Sequence, residues 1–323
     1  MKVLGIDIGG TKCAVSLGES TADHSIDIIR KDVFPTEVLK GPQHAIDKVF
    51  DTICTVLFDS GTDIKDVERI GISCGGPLDS KNGIIMSPPN LPGWDNIHIK
   101  DMLEDKYGIK TSLQNDANAC ALAEWKFGAA QGFYNVIFLT FGTGLGAGFI
   151  LDGRLYSGTN GMAGEVGHIR LDQFGPVGYG KAGSFEGFCS GAGIAQLAGM
   201  KVRERLQMGE KVSFCGSIDD IAGLNAKIVA EAAENGDDLA KEIYRICGNY
   251  LGKGLSVLID ILNPQIIVIG SIFLRSQGLL WESAKQVIEN ETLSFSRTVC
   301  KVVPAGLGEK VGDYASLAVA LYE

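Results

Sequence analysis

Apolar and polar positions follow two periods along this chain. Residues 2–8 (KVLGIDI) and 13–18 (CAVSLG) are apolar runs of strand length joined by the turn GGTK, which predicts an opening β-hairpin. VERIGISC (67–74) reads as a further strand that ends on GGPLD. SPPNLPGW (87–94) carries three prolines and is expected to be a stiff, irregular loop. In DANACALAEWKFGAA (116–130) the period changes to that of a helix, with Asp116 placed to cap it and Gly128 to close it. NVIFLTFGTGLGAGFILDG (135–153) repeats the opening design of apolar strand, glycine-rich turn and second strand. Helices are expected around 191–208, 217–235 and 237–261, a buried strand at 265–270 and a last helix at 312–322.

The repetition matters more than any one element. Two strand–glycine turn–strand units, about 130 residues apart, each begin a half of the chain. Two such hairpins facing one cleft would offer backbone N–H groups to a single anion, and glycine permits the close approach this needs.

Composition narrows the function. The chain has 323 residues, enough for two lobes, and is ordinary in its 45% hydrophobic and 21% charged content. Its 29 basic and 39 acidic residues give a net charge of −10, which speaks against a broad grip on nucleic acid or on anionic membrane. The first residues are too short and too polar a run for a signal peptide or membrane span. Eight scattered cysteines, with no CxxC pair, fit a reduced cytoplasmic protein.

Four motifs could carry chemistry, and each also has a plain structural reading. DIGGTK sets Asp7, Gly9, Gly10, Thr11 and Lys12 in one tight turn, either an ordinary hairpin or a phosphate cradle with Asp7 holding Mg²⁺. FGTGLGAG (141–148) supplies Gly142, Thr143, Gly144 and Gly146. It leads into a strand and not a helix, which excludes a dinucleotide fingerprint and leaves a phosphate turn. LQNDANA places Asn115 and Asp116 where a strand hands over to a helix, as a cap or as a general base. The glycine-rich stretch 164–188 holds Glu165, His168 and Glu186, either solvated and packed groups or acceptors for sugar hydroxyls.

Together, in this order, the motifs DIGGTK, NLPGW, NDANA, FGTGLGAGFILDG, GEVGH and GDYASL resemble the family of repressors, open reading frames and sugar kinases known as ROK. The resemblance implies an α/β, two-lobed actin-like (ribonuclease H-like) ATPase fold with a cleft between the lobes. The lobes are expected at 1–117 plus 309–323 and at 118–308. It also implies ATP- and Mg²⁺-dependent phosphorylation of a hexose or acylated hexosamine, with C6 of a glucose-like sugar as the expected acceptor and Asp116 as the base. Gly76, Asn90, Asn115, Glu165, His168 and Glu186 match the family's sugar contacts. Asp7 to Lys12 and Gly142 to Gly146 match its phosphate loops. Gly270 of IVIGSI, with SGAGI, falls where the adenosine is held. Family members are often homodimers, and those that repress transcription carry a helix-turn-helix ahead of the first glycine loop, which is not expected here with six residues before Asp7.

In one respect the chain departs from the pattern. Many family members read C-x-C-G-x-x-G-C-x-E in the stretch after His168, and those cysteines hold zinc with the histidine. Here Val177, Tyr179 and Ser184 replace the cysteines, while Gly180, Gly183 and Glu186 remain. Zinc needs four good ligands, so the loop is expected to hold sugar and no zinc, shaped by the packing of Val177, Tyr179 and Phe185, its glycine turns and a hydrogen bond at Ser184.

Overall fold

The computed structural model describes residues 1–21 and 25–322. Glu323, which ends the expected segment 309–323, lies outside the described residues. In chain order the first elements are β1 (Lys2–Ile8), β2 (Lys12–Ser20), β3 (Ile26–Pro35), α1 (Pro42–Ser60) and β4 (Val67–Cys74). Two short strands follow, β5 (Leu78–Asp79) and β6 (Ile84–Ile85), then α2 (Ile99–Tyr107), β7 (Thr111–Asn115) and α3 (Asp116–Phe127). The middle holds β8 (Val136–Phe141), β9 (Leu145–Leu151), β10 (Arg154–Tyr156), β11 (Val177–Gly178), β12 (Lys181–Ala182) and α4 (Phe185–Phe188). The remainder is α5 (Gly191–Gln207), α6 (Ala226–Glu234), α7 (Asp238–Leu262), β13 (Ile266–Ile269), α8 (Ile272–Glu291), α9 (Ser294–Val299), β14 (Lys301–Pro304) and α10 (Val311–Ala320).

The chain forms two compact units. One comprises residues 1–134, 148–163 and 309–323, and the other 135–147 and 164–308. The boundary expected at 117/118 falls inside α3, which stays with the first unit because it packs on α10.

The repetition in the sequence becomes a repetition of sheets, in the orders β3-β2-β1-β4-β7 and β10-β9-β8-β13-β14. In the first, β1 pairs antiparallel with β2 and parallel with β4, which pairs parallel with β7. In the second, β13 is parallel to both β8 and β14, while β9 begins in the second unit and ends in the first, where it pairs with β10.

Strand alternation decides what each face of the first sheet meets. Leu4, Ile6 and Ile8 of β1, with Ile70, Ile72 and Cys74 of β4, enter one core with Ala45, Ile46, Val49 and Ile53 of α1. On the opposite face Val3 packs with Leu317 and Ala320 of α10, and glycines let that helix come close to the strand backbone. A Cβ on Gly5 would fall on Ser316 Oγ, and one on Gly71 would fall on Ser316 O and Ala320 N. The second unit uses the same device between α7 and α8, where Gly248 lies against Leu280 O and Ser283 Oγ.

Two local readings are corrected. Asn115, not Asp116, caps α3: its extended backbone lets Oδ1 accept from Asn118 N at 2.7 Å, which leaves Asp116 as the first helical residue. The helix expected over 217–235 is interrupted, because Asn225 is extended and caps a new helix, accepting from Ile228 N at 3.0 Å. The part before it is only a 3₁₀ turn, Asp219–Gly223.

Because the atoms facing Gly71 belong to a helix backbone, they cannot rotate away. Gly71→Ala is expected to destabilise the protein by about 1–3 kcal/mol or more, the usual effect of overpacking. A chemical denaturation midpoint measures this, and an unchanged midpoint would show that α10 can shift freely.

Candidate active site

The sheet register assembles the first cluster. Asp7 pairs with Ser73 and Ser73 with Gln114; one step on, Ile8 pairs with Cys74 and Cys74 with Asn115. Asp7, Asn115 and Asp116 are thereby brought to the carboxyl ends of three adjacent parallel strands, where α/β folds characteristically bind ligands. Asp116 follows as the first residue of α3, and one of its oxygens accepts from Ala117 N at 2.8 Å.

Both carboxyls hold their protons more tightly than usual. Burial, followed by the negative charge of Asp116, raises the pKa of Asp7 from 3.8 to about 6, against the opposing Ser73 hydrogen bond and the charges of Lys31 and Lys12. Burial also raises Asp116, although the residue keeps an exposed face and its Ala117 hydrogen bond favours the charged form. Cys74, beneath the two, is raised by burial and by both aspartates.

The turn after β1 is fixed by its neighbours. Gly9 N donates to Lys12 O at 3.1 Å, and the buried Thr36 donates its hydroxyl to Gly9 O at 2.5 Å. Gly10 touches the proline-rich loop: a Cβ there would stand 2.5 Å from Asn90 O and 2.9 Å from Asn90 Cβ. Asn90 also approaches Gly75, where a Cβ would meet its Oδ1 at 3.4 Å. Thr11, Lys12, Gly76 and Asn90 are exposed. The first unit therefore gathers Asp7, the turn 9–12, Gly76, Asn90, Asn115 and Asp116.

The second unit builds its own cluster around Gly142–Gly144. Gly142 N donates to Gly144 O at 3.1 Å, and the Thr140 hydroxyl accepts from Gly146 N at 2.9 Å. Glu186 braces the far side: Leu145 N donates to its Oε2 at 3.0 Å, and a Cβ on Gly144 would come within 2.7 Å of that oxygen. Gly167 is pressed on Leu145 O, so the 3₁₀ turn Val166–His168 sits against the same strand. Glu165 is exposed and His168 half-buried.

Beside this turn lies a cavity of about 870 Å³. Its wall includes Gly142, Thr143, Asn225, Lys227, Tyr244 and Arg275. Gly191 N, at the start of α5, donates to Gly142 O at 2.7 Å and ties helix to turn. Gly270 does not line this cavity; it is buried beside Phe138, and the next residue, Ser271, forms the wall instead. Sequence patterns do not single out Thr36, Ser73, Asn225, Lys227 or Arg275. Of these only Asn225 carries a signal, as a cap residue opening the amphipathic run 226–234.

The chain belongs to the ROK family, whose profile matches residues 3–321, and it has the actin-like two-lobed fold of that family. It is 30% identical to a glucokinase of Thermotoga maritima over 99% of this chain and 97% of that protein. A ROK family glucokinase from Streptomyces griseus, solved with glucose and AMPPNP, superposes with a TM-score of 0.74 at 30% identity, over 100% of this chain and 99% of that one. A ROK family transcriptional regulator, a homolog of the E. coli MLC protein, superposes with a TM-score of 0.83 at 25% identity, covering 99% of this chain and 77% of that one. Among the described residues no helix is long and apolar enough to cross a membrane.

The raised pKa of Asp7 has a stability consequence. Between about pH 4 and 6 the folded protein keeps a proton that the unfolded chain has released, so this group's contribution falls as pH rises through that window. Above pH 6 the ligand-free protein carries the full penalty. Asp7→Asn is therefore expected to raise unfolding stability at pH 7.5 by about 1–3 kcal/mol and to flatten the pH 4–6 profile. An Asp7→Asn variant less stable than the wild type at pH 7.5 would contradict this electrostatic picture.

Proposed function

We propose that this protein is an ATP-dependent sugar kinase that moves the γ-phosphoryl group of Mg-ATP to a hexose hydroxyl, the one on C6 of a glucose-like sugar. The observation that carries the reading is Asp116: a carboxyl at the first position of α3, raised in pKa by burial, beside a second carboxyl at the end of β1. The similarity to glucokinases supports the same reading.

In this reading Asp116 accepts the proton of the attacking hydroxyl. Its raised pKa makes it a stronger base than a surface aspartate, while one oxygen stays oriented by Ala117 N. Gly76, Asn90, Asn115, Glu165, His168 and Glu186 are the residues that the family pattern offers to sugar hydroxyls. The adenosine occupies the 870 Å³ cavity, with its phosphates toward the Gly142–Thr143 turn and the N-terminus of α5. Lys227 and Arg275 in the cavity wall offset phosphate charge. The turn Gly9–Lys12 offsets charge on the phosphates through its amides, Thr11 and Lys12. In-line transfer then depends mainly on positioning and on charge neutralisation.

Asp7 suits Mg²⁺. It is a hard oxygen donor, half-buried, whose charged form is disfavoured first by burial and then by the charge of Asp116, and a divalent cation would offset both. When bound with ATP, the ion would neutralise charge on the phosphates.

The same site residues suit an N-acetylmannosamine or N-acetylglucosamine acceptor, and the likeness to a transcriptional regulator keeps a non-catalytic sugar-binding role as the alternative. Asp116→Asn separates catalysis from binding. It is expected to keep sugar affinity within a few-fold while lowering kcat by about 10²–10⁴. Turnover near the wild-type rate in that variant would remove Asp116 from the mechanism.

A further inference from the structure

The stretch where the family pattern places zinc-binding cysteines is built differently here. Val177 has no donor atom. Ser184 is buried and its hydroxyl accepts from Gly187 N at 3.1 Å, as the cap of α4. Tyr179 turns its ring to His168. These side chains do not make a tetrahedral zinc site, and among the described residues no group of three or more His, Cys, Asp and Glu could hold a metal.

In its place stands a hairpin. β11 and β12 pair through Val177–Ala182 and Gly178–Lys181 around the two-residue turn Tyr179–Gly180. Both turn residues have positive φ, 43° and 76°, as in the turns that Asn-Gly forms best. A tyrosine at the first position is unfavourable for the turn itself, and its side chain is largely exposed. A strained residue that folding alone does not call for points to another task.

The contacts show what that task is. The Tyr179 ring meets the His168 ring edge-on, at 5.3 Å between centroids and 75° between planes. Lys181 Nζ donates to His168 O at 2.7 Å. Ring and backbone of the histidine are therefore gripped separately by alternate residues of one hairpin. Its other strand sets Glu186: a Cβ on Gly178 would stand 2.9 Å from Glu186 Cβ and 2.7 Å from Gly187 N. The hairpin is itself anchored to α5, since Gln196 accepts from Val177 N at 3.0 Å and donates to Val177 O at 2.9 Å.

We propose that this hairpin, without a metal, positions the acceptor-site residues, with Tyr179 and Lys181 as positioning residues that hold His168, and with Gly178 seating Glu186, for the sugar acceptor. This rests on the kinase reading above. Its consequence is an acceptor affinity that is independent of zinc and dependent on an exposed tyrosine.

Tyr179→Asn separates this role from a structural one, because asparagine suits the turn better than tyrosine does. Wild type, Tyr179→Asn and Tyr179→Phe would be dialysed against EDTA, returned to Mg²⁺ and assayed with glucose and ATP. Melting temperature and bound zinc would be measured in parallel. Tyr179→Asn is expected to melt no lower than wild type yet show a glucose KM about 3–10-fold higher, with kcat and ATP KM within about two-fold. Tyr179→Phe keeps the ring and is expected to match wild type. An active wild type whose glucose KM is unchanged by Tyr179→Asn overturns the hairpin's role alone. So does a wild type that loses melting temperature or glucose affinity to EDTA and regains it with zinc. A wild type that neither binds nor phosphorylates any sugar overturns the kinase reading, and the hairpin's role with it.

Discussion

Two carboxyl groups, Asp7 and Asp116, are held where neither has enough positive charge nearby to be comfortably ionised. Sheet register puts Asp7 at the end of β1 beside Ser73, and the cap at Asn115 puts Asp116 at the start of α3. Burial and the charge of Asp116 outweigh one hydroxyl and two lysines, which leaves Asp7 with a pKa of about 6. A fold that wanted only stability would place apolar side chains there. The arrangement makes sense if a cation and a substrate proton complete it, one carboxyl serving each, so the chemistry proposed for the site is the relief of a strain built into the ligand-free protein.

The second recurring constraint is close approach of backbone, which explains where the glycines fall. Gly10 lies against Asn90, Gly144 against the Glu186 carboxylate, and Gly178 against the base of that same glutamate. In each case a glycine in one motif lets a candidate site residue of another come near. Glu186 shows the benefit: its Oε2 braces the Gly142–Gly144 turn by accepting from Leu145 N. The proposed acceptor contact and the proposed phosphate turn are thus coupled through a single side chain.

Motifs read from the sequence give the two hairpins, the helix at 116 and the family, because strand–glycine turn–strand patterns and their order are local signals. What stays hidden depends on tertiary partners. Thr36 acts on Gly9 from the end of β3, and Ser73 reaches Asp7 across a strand pair, and neither residue type is distinctive where it stands. The cavity wall at Lys227 and Arg275 comes from helices whose sequence shows only amphipathic packing. Sequence places the cap of α3 one residue late because Asn and Asp are both good caps, and the backbone of Asn115 decides between them. Gly270 sits one residue from Ser271, which lines the cavity. The lack of cysteine at 177, 179 and 184 is plain in the sequence, but the Tyr179–His168 contact needs the hairpin's geometry.

The most direct test of the whole account is product identification. The protein would be incubated with Mg-ATP and a panel of hexoses and N-acetylhexosamines, and ADP and sugar phosphate followed by ³¹P NMR. The account predicts stoichiometric ADP and a phosphate ester on C6 of one preferred sugar. Sugar binding without ADP or ester above the protein-free background would contradict it and make the protein a sensor.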